Sequence, residues 1–265
     1  NAVILTVTAG TAPTPADAGD DQAVSAATTS LFGNTPVIGT GLWSVVSGTA
    51  TITTPSSPTS GVTALAAAPS VATLRWTTTN GGCTSTDDIV ITRYCLGTHS
   101  TEPGCNYAIA IENVTVSDID NSSGCPGSVP NNYSNFSNII GSIQAGVNYT
   151  ITIDRGGDVN GCWWGVWVDW NKNGDFLDVG EFMSPINAAA GISSNSGTLV
   201  VPVGLPEGTT YIMRIRAKET SAMTQATVCG AYAYGEQEDY TLKVVPSYCF
   251  NSILDAGQGE SAIDC

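Results

Sequence analysis

The sequence predicts an all-β protein built from tandem β-sandwiches. Three observations predict it. Thr, Val and Ile recur in short runs, and these residues suit a pleated strand. The runs are broken by turn residues, with 29 Gly and 13 Pro among 265 residues. No long stretch carries apolar residues at the 3.6-residue period of a helix. The length suits two ordinary domains and part of a third.

The first segment, residues 1–17, is a strand and a linker. In Asn1–Thr8, Val3, Leu5 and Val7 face one way and Ile4, Thr6 and Thr8 the other. A stretch with Pro and Gly, from Gly10 to Gly19, follows at once, so the strand has no local partner. It reads as the closing strand of a preceding sandwich or as a donor strand that inserts into a neighbouring subunit. In strand addition, main-chain hydrogen bonds supply affinity and alternate side chains fill pockets. Pairing with an edge of its own chain is the third reading.

Residues 18–93 form the small sandwich. Apolar runs recur around Thr29–Leu31, Leu42–Val46, Ala50–Thr53, Val71–Thr77 and Ile89–Thr92, with turns at Asn34-Thr35-Pro36 and Asn80-Gly81-Gly82. That spacing suits an immunoglobulin-like fold, with Trp43 and Trp76 in the core. Residues 94–245 form the larger sandwich, jelly-roll-like or immunoglobulin-like. Its expected strands are Ile109–Val116, Tyr149–Asp154, Trp163–Trp170, Gly197–Val203, Thr210–Ala217 and Asp239–Val245.

Two resemblances follow from particular residues. The run from Ala18 through Trp43 to Cys83 and Thr92 resembles the immunoglobulin- or PKD-like repeats of Bacteroidetes-type surface proteins. Those repeats carry a cysteine where this chain has Ser25, which implies a bond to Cys83. Its absence leaves Cys83 free, bonded elsewhere, or residue 25 misassigned. The runs Cys162–Glu181, Val201–Glu219 and Cys229–Val245 resemble the GEVED domain, with Gly235-Glu236-Gln237-Glu238-Asp239 as its naming motif and Tyr240 following. Tyr94-Cys95 and Tyr133–Phe136 agree with it. The resemblance implies a secreted β-sandwich module of multidomain surface proteins, often exported by type IX secretion, with no enzymatic activity. Residues 246–265 resemble the start of a Cys- and acid-rich motif, with Asn251, Asp255, Glu260, Asp264 and Cys265 at or near its polar positions.

Composition excludes several partners. The net charge is −15, with only 8 Lys and Arg. That argues against nucleic acid, which needs a basic surface, and against anionic lipid. Neither a signal peptide nor a membrane-spanning run is visible. Eight cysteines lack any C-x-x-C pair, and His99 is the single histidine, so a zinc site has little to work with. Wide cysteine spacing reads as disulfides made outside the cell. A hydrolase triad fails on the same lone histidine.

The sharpest chemical signal is Asp169-Trp170-Asn171-Lys172-Asn173-Gly174-Asp175, or D-x-N-x-N-G-D. Oxygens at positions 1, 3 and 5 can converge on a hard cation, and Gly at position 6 permits the sharp turn. Asp175 would add its carbonyl, and Asp178 or Glu181 would close the shell. This predicts a structural Ca2+ site; the competing reading is a plain polar turn. The loop departs from an EF-hand, since a strand leads into it and Glu181 lies one position late.

The acidic triplet Glu236, Glu238 and Asp239 is expected to be a structural acidic motif, salt-bridged or cation-bound. Arg214 and Arg216, alternating on a strand, could neutralise it across the sheet. A glycosidase pair is the competing reading. Of Trp163, Trp164, Trp167 and Trp170, one face is expected in the core; an exposed face could stack on sugars. Five glycosylation sequons occur, at Asn113, Asn121, Asn132, Asn135 and Asn148. Their number is near the chance value of about four, and their clustering suggests a glycan-bearing face.

Together these features predict a non-catalytic structural or adhesive module of a secreted bacterial cell-surface protein or extracellular filament. Its expected partners are copies or neighbouring repeats of itself, and glycans. The alternative is a carbohydrate-binding accessory module of a secreted hydrolase.

Overall fold

The computed structural model describes residues 11–97, 109–124, 132–155, 161–188, 192–219, 221–231 and 234–247. The expected strand with Val3, Leu5 and Val7, His99, and the motif from Tyr248 to Cys265 lie outside the described residues. The described chain is all-β, with one short 3-10 turn at Gln225–Val228. It folds as two compact units, the first of Asn1–Cys95 with Asn173–Asp175 and the second of Leu96–Lys172 with Phe176–Cys265.

The first unit holds β1 (Gln22–Val24), β2 (Thr29–Ser30), β3 (Thr40–Ser47), β4 (Thr51–Ile52), β5 (Gly61–Thr63), β6 (Ser70–Asn80) and β7 (Cys83–Arg93). Two sheets form, in the orders β1-β7-β6-β3 and β2-β5-β4. The β6–β7 hairpin turns on Gly81 and Gly82, whose φ angles are 54° and 89°. Two positive φ values in a two-residue turn match the twist of the flanking strands. Along β6, Ala72, Leu74, Trp76 and Thr78 point inward, and Thr73, Arg75 and Thr77 point outward. Trp43 and Trp76 meet in the core with ring centroids 5.0 Å apart. The expected runs all hold strands here; β1 is a short addition at the margin of one sheet, and β5 is the central strand of the other.

The second unit holds β8 (Asn113–Val116), β9 (Ile119–Asn121), β10 (Tyr133–Ile143), β11 (Tyr149–Asp154), β12 (Cys162–Val168), β13 (Phe182–Ala188), β14 (Ser194–Leu199), β15 (Thr210–Glu219) and β16 (Gly235–Val244). Its sheets run β10-β16-β15-β12-β13 and β14-β11-β8-β9. Side chains such as Ile151, Ile153, Trp164, Val166, Met213, Ile215 and Leu242 fill its core. The strand β10 was hidden in a polar sequence. It pairs parallel with β16, and an irregularity between Phe136 and Ile140 disrupts its alternation. Expected strand ends also moved. β16 begins at Gly235 rather than Asp239, because a charged stretch is drawn inside by tertiary contacts. β14 ends at Leu199, ahead of Val200 and Pro202, and Val200 is exposed.

Candidate functional site

The two central strands of the five-stranded sheet are buried on both faces. Their antiparallel register sets Asp239 opposite Arg214, Glu238 opposite Ile215, Gln237 opposite Arg216 and Glu236 opposite Ala217. Since alternate residues share a face, Arg214, Arg216, Gln237 and Asp239 project outward. Glu236 and Glu238 project into the sandwich. The expected neutralisation of all three acids by the two arginines is therefore corrected: register gives the arginines only Asp239.

The outer layer is a buried polar cluster. Arg214 Nε and Nη2 donate to the two carboxylate oxygens of Asp239, each at 2.7 Å. The Tyr133 hydroxyl donates to Asp239 Oδ2 at 3.0 Å, and burial among these groups pushes the Tyr133 hydroxyl well above the usual phenol range. The Arg214 guanidinium lies over the Phe176 ring, 4.9 Å from its centroid. Arg216 donates to the carbonyls of Thr227 and Gly230. Trp167 Nε1 donates to the Gln225 carbonyl at 3.2 Å. Gly97 N–H donates to Gln237 Oε1 at 3.1 Å. A segment around the Gln225–Val228 turn thus roofs the outer face, which is why Arg214 and Trp167 have no exposure at all.

The inner acids have a different environment. Glu236 Oε2 accepts from Ile111 N–H at 2.7 Å, and Glu238 Oε2 accepts from the Tyr240 hydroxyl at 2.8 Å. Asn121 Nδ2 donates to the same hydroxyl at 2.9 Å. The second oxygens of both acids, with Trp164 Nε1, are buried without a hydrogen-bond partner. Burial, then the Glu238 charge, pushes Glu236 up to about 9. Burial pushes Glu238 up to about 7, against the hydroxyls of Tyr240 and Ser123.

The second cluster is the loop that leaves β12. Asp169 is fully buried, and its N–H donates to the Ile212 carbonyl at 3.2 Å. Glu181 closes the loop: Oε1 accepts from Trp170 N–H at 3.0 Å and Oε2 from Asp178 N–H at 3.2 Å. Asn171 Nδ2 donates to Asp178 Oδ2 at 2.7 Å, and Asp175 N–H to Asn173 Oδ1 at 2.9 Å. Lys172 and Gly174 take positive φ, 61° and 87°; the glycine adopts this without strain. Carboxylate oxygens of Asp175, Asp178 and Glu181 lie within 4.8 Å of one another. Burial, with Asp169 and Asp178 nearby, pushes Glu181 up to about 7 despite its backbone donors. Clustered acids that repel one another beside oxygen-rich side chains fit a hard cation.

Other expected residues fall as follows. Trp164 and Trp167 are fully buried, Trp163 and Trp170 half-buried, and Trp170 packs edge-on against Tyr211. No Trp or Tyr is among the large exposed apolar side chains of the described residues. Asn132 is buried with Nδ2 donating to the Gly235 carbonyl, so it is closed to a glycan in the folded state. Asn121 spends its Nδ2 on Tyr240. Asn113 is half-buried with Nδ2 3.5 Å from Asp154 Oδ2, while Asn135 and Asn148 are exposed. Cys95 and Cys229 are disulfide-bonded, and Cys83 and Cys162 are free. No described helix is long and apolar enough to cross a membrane. What residue-by-residue reading missed was the roof over the outer face; the pairing of Arg214 and Arg216 in alternation beside the acids was its one legible trace.

Residues 163–243 match the GEVED domain. The GEVED match spans β12 to β16 and includes the cation-type loop, both arginines and the acidic motif. No match is found among curated proteins. Among solved structures, the chain is similar to one titled "Anomalous substructure of Titin-A168169", at 12% identity and TM-score 0.25, covering 89% of this chain and all of that one. It is similar to another titled "Structural basis for Dscam isoform specificity", at 12% identity and TM-score 0.26, covering 89% of this chain and 46% of that one. A third is an endo-fucoidan hydrolase of glycoside hydrolase family 107, at 10% identity and TM-score 0.23, covering 88% and 29%. At these TM-scores the likenesses carry no argument; the all-β assignment rests on the strands themselves.

Proposed function

We propose that the chain is a non-catalytic structural or adhesive module of a secreted bacterial surface protein or filament, with an immunoglobulin- or PKD-like repeat ahead of the GEVED-matching unit. One observation carries this reading: the motif's polar residues are spent inside the fold. Glu236, Gln237, Glu238 and Asp239 are at most 5% exposed. A glycosidase needs its two carboxyls open to a sugar on either side of the scissile bond. These acids face a packed core or a roofed layer instead. The buried tryptophans likewise favour structural work over the carbohydrate-binding alternative. Disulfides at Cys95 and Cys229 accord with an oxidising, extracellular setting.

Assembly through Asn1–Thr8, with Val3, Leu5 and Val7 filling a neighbour's sheet, is the concrete form of the proposal. Imaging the purified chain with and without residues 1–10 tests it. Polymers that vanish on deletion support strand donation; monomers in both samples overturn it. Sugar-array binding by the monomer would favour the accessory-module reading.

A structural Ca2+ held by Asp169, Asn171, Asn173, Asp175, Asp178 and Glu181 belongs to the same proposal. The cation would neutralise repelling acids and tie β12 to β13 through their shared loop. Saturating calcium is expected to raise the Tm of the full chain by at least ~3 °C, a mass-action effect on the folded state. Asp169→Ala is expected to abolish that rise. An unchanged Tm, or a rise that survives Asp169→Ala, would remove calcium from the picture.

A further inference from the structure

We propose that Glu236 and Glu238 form a proton-holding pair between the two sheets, a latch that is closed when uncharged and loosened when alkaline pH removes its protons. The placement comes first. The two residues share the inner face of β16, two positions apart, with exposures of 1% and 0%. Each carboxyl has one oxygen held by a neutral donor and one buried oxygen with no partner. An ionised carboxylate in that position keeps little of the solvation it had in water.

Nothing on this face among the described residues supplies positive charge. From β15 the neighbours are Ala217 and Ile215, with Met213 further along. From β12 the next position beyond Ala217 is Trp164. From β10, parallel to β16, Ser134 lies opposite Glu238 and Phe136 opposite Tyr240. From the facing sheet and its flanks come Ile111, Asn121 and Ser123. The titratable groups that reach the pair are Tyr240, Glu112 and Asp239. The two acids among them push toward protonation. Arg214 is committed to the other face, where it holds Asp239.

Both carboxyls lie above their unfolded value, so the folded state binds more protons than the unfolded chain. The stabilising contribution is fully present below about pH 4.3, is lost progressively as pH rises from there through about 7, and is gone above about 9. Because the two acids interact, they titrate as a pair rather than as separate sites.

Thermal unfolding of the full chain in chelator tests the latch, from about pH 5 to about pH 9.5. The wild type is expected to lose on the order of 5 °C more across the whole range than Glu236→Gln/Glu238→Gln, whose amides cannot ionise. Parallel curves would overturn the proposal. Should the double variant fail to fold, the wild type still decides it: carbon-13 NMR of glutamate-labelled chain should show three carboxyls protonated at about pH 6, Glu181 and this pair, and Glu181 alone would overturn the proposal. Carboxyls that all titrate in the ordinary range would overturn it. Calcium that flattens the pH curve of Asp169→Ala would also overturn it, by making the pair a cation site.

Discussion

Arg214 and Asp239 sit directly opposite one another on adjacent strands, and both are nearly or wholly buried. Two parallel N–H···O contacts, the Tyr133 hydroxyl and the Phe176 ring surround the pair. Burying a charge pair yields little net stability, but removing one partner strands the other. Asp239→Ala is therefore expected to cost about 3–5 kcal/mol, read by urea unfolding. Arg214→Lys should recover only part of the loss from Arg214→Ala, because an ammonium cannot reproduce the fork. A lysine variant equal to wild type would show that the charge alone matters. The sequence made the alternation of Arg214 with Arg216 and of Glu236 with Glu238 legible. It did not reveal which acid meets which arginine. A one-residue slip in register would have exchanged the faces, and register is decided across strands far apart in the chain.

Among the elements, β12, β15 and β16 defeated the simple rule that one face of a strand is wet. Strong alternation located the strands, yet both faces turned out to be dry. The cause is the cover around the Gln225–Val228 turn, whose polar, weakly patterned sequence carries no periodic signal. Its contacts are backbone carbonyls accepting from Arg216 and Trp167, and backbone groups are invisible in a residue pattern. The close packing beneath it has a direct consequence at Gly165. A Cβ there would strike the Trp167 ring and crowd Met223. Gly165→Val is expected to destabilise the chain by about 1–3 kcal/mol through overpacking, measured as a lower urea midpoint with the m-value unchanged. No change would mean that Trp167 can swing aside and that the roof is loose. The cation-type loop was the reverse case. Its spacing is local, within Asp169–Glu181, and the fold brings the carboxylates of Asp175, Asp178 and Glu181 together, while Asp169, expected at the first ligand position, is not in that cluster.

For the whole molecule the governing quantity is charge. Twenty-three acids stand against 8 Lys and Arg, a net −15 at neutral pH. Arg155, Arg214 and Arg216 are buried, and the exposed Arg75 is paired with Asp88 across β6 and β7 at 2.6 Å. Asp169, Glu181, Glu236, Glu238 and Asp239 are buried too, so the solvent-facing surface stays strongly acidic. Copies of such a chain repel at long range, with a reach of about 30 Å at ~0.01 M salt and about 8 Å at ~0.15 M. The proposed donor segment, Asn1–Thr8, carries no ionisable side chain, so its docking is resisted only by the bodies that flank it. Assembly driven by apolar strand insertion should then speed up when salt screens the bodies, which is the opposite of contacts built on ion pairs. Light scattering of freshly purified chain should rise at least several-fold faster at ~0.15 M than at ~0.01 M sodium chloride. Deletion of residues 1–10 should leave no rise at either salt. A rate that falls with salt would instead mean that opposite charges hold the copies together, and strand insertion would lose its place as the driving step.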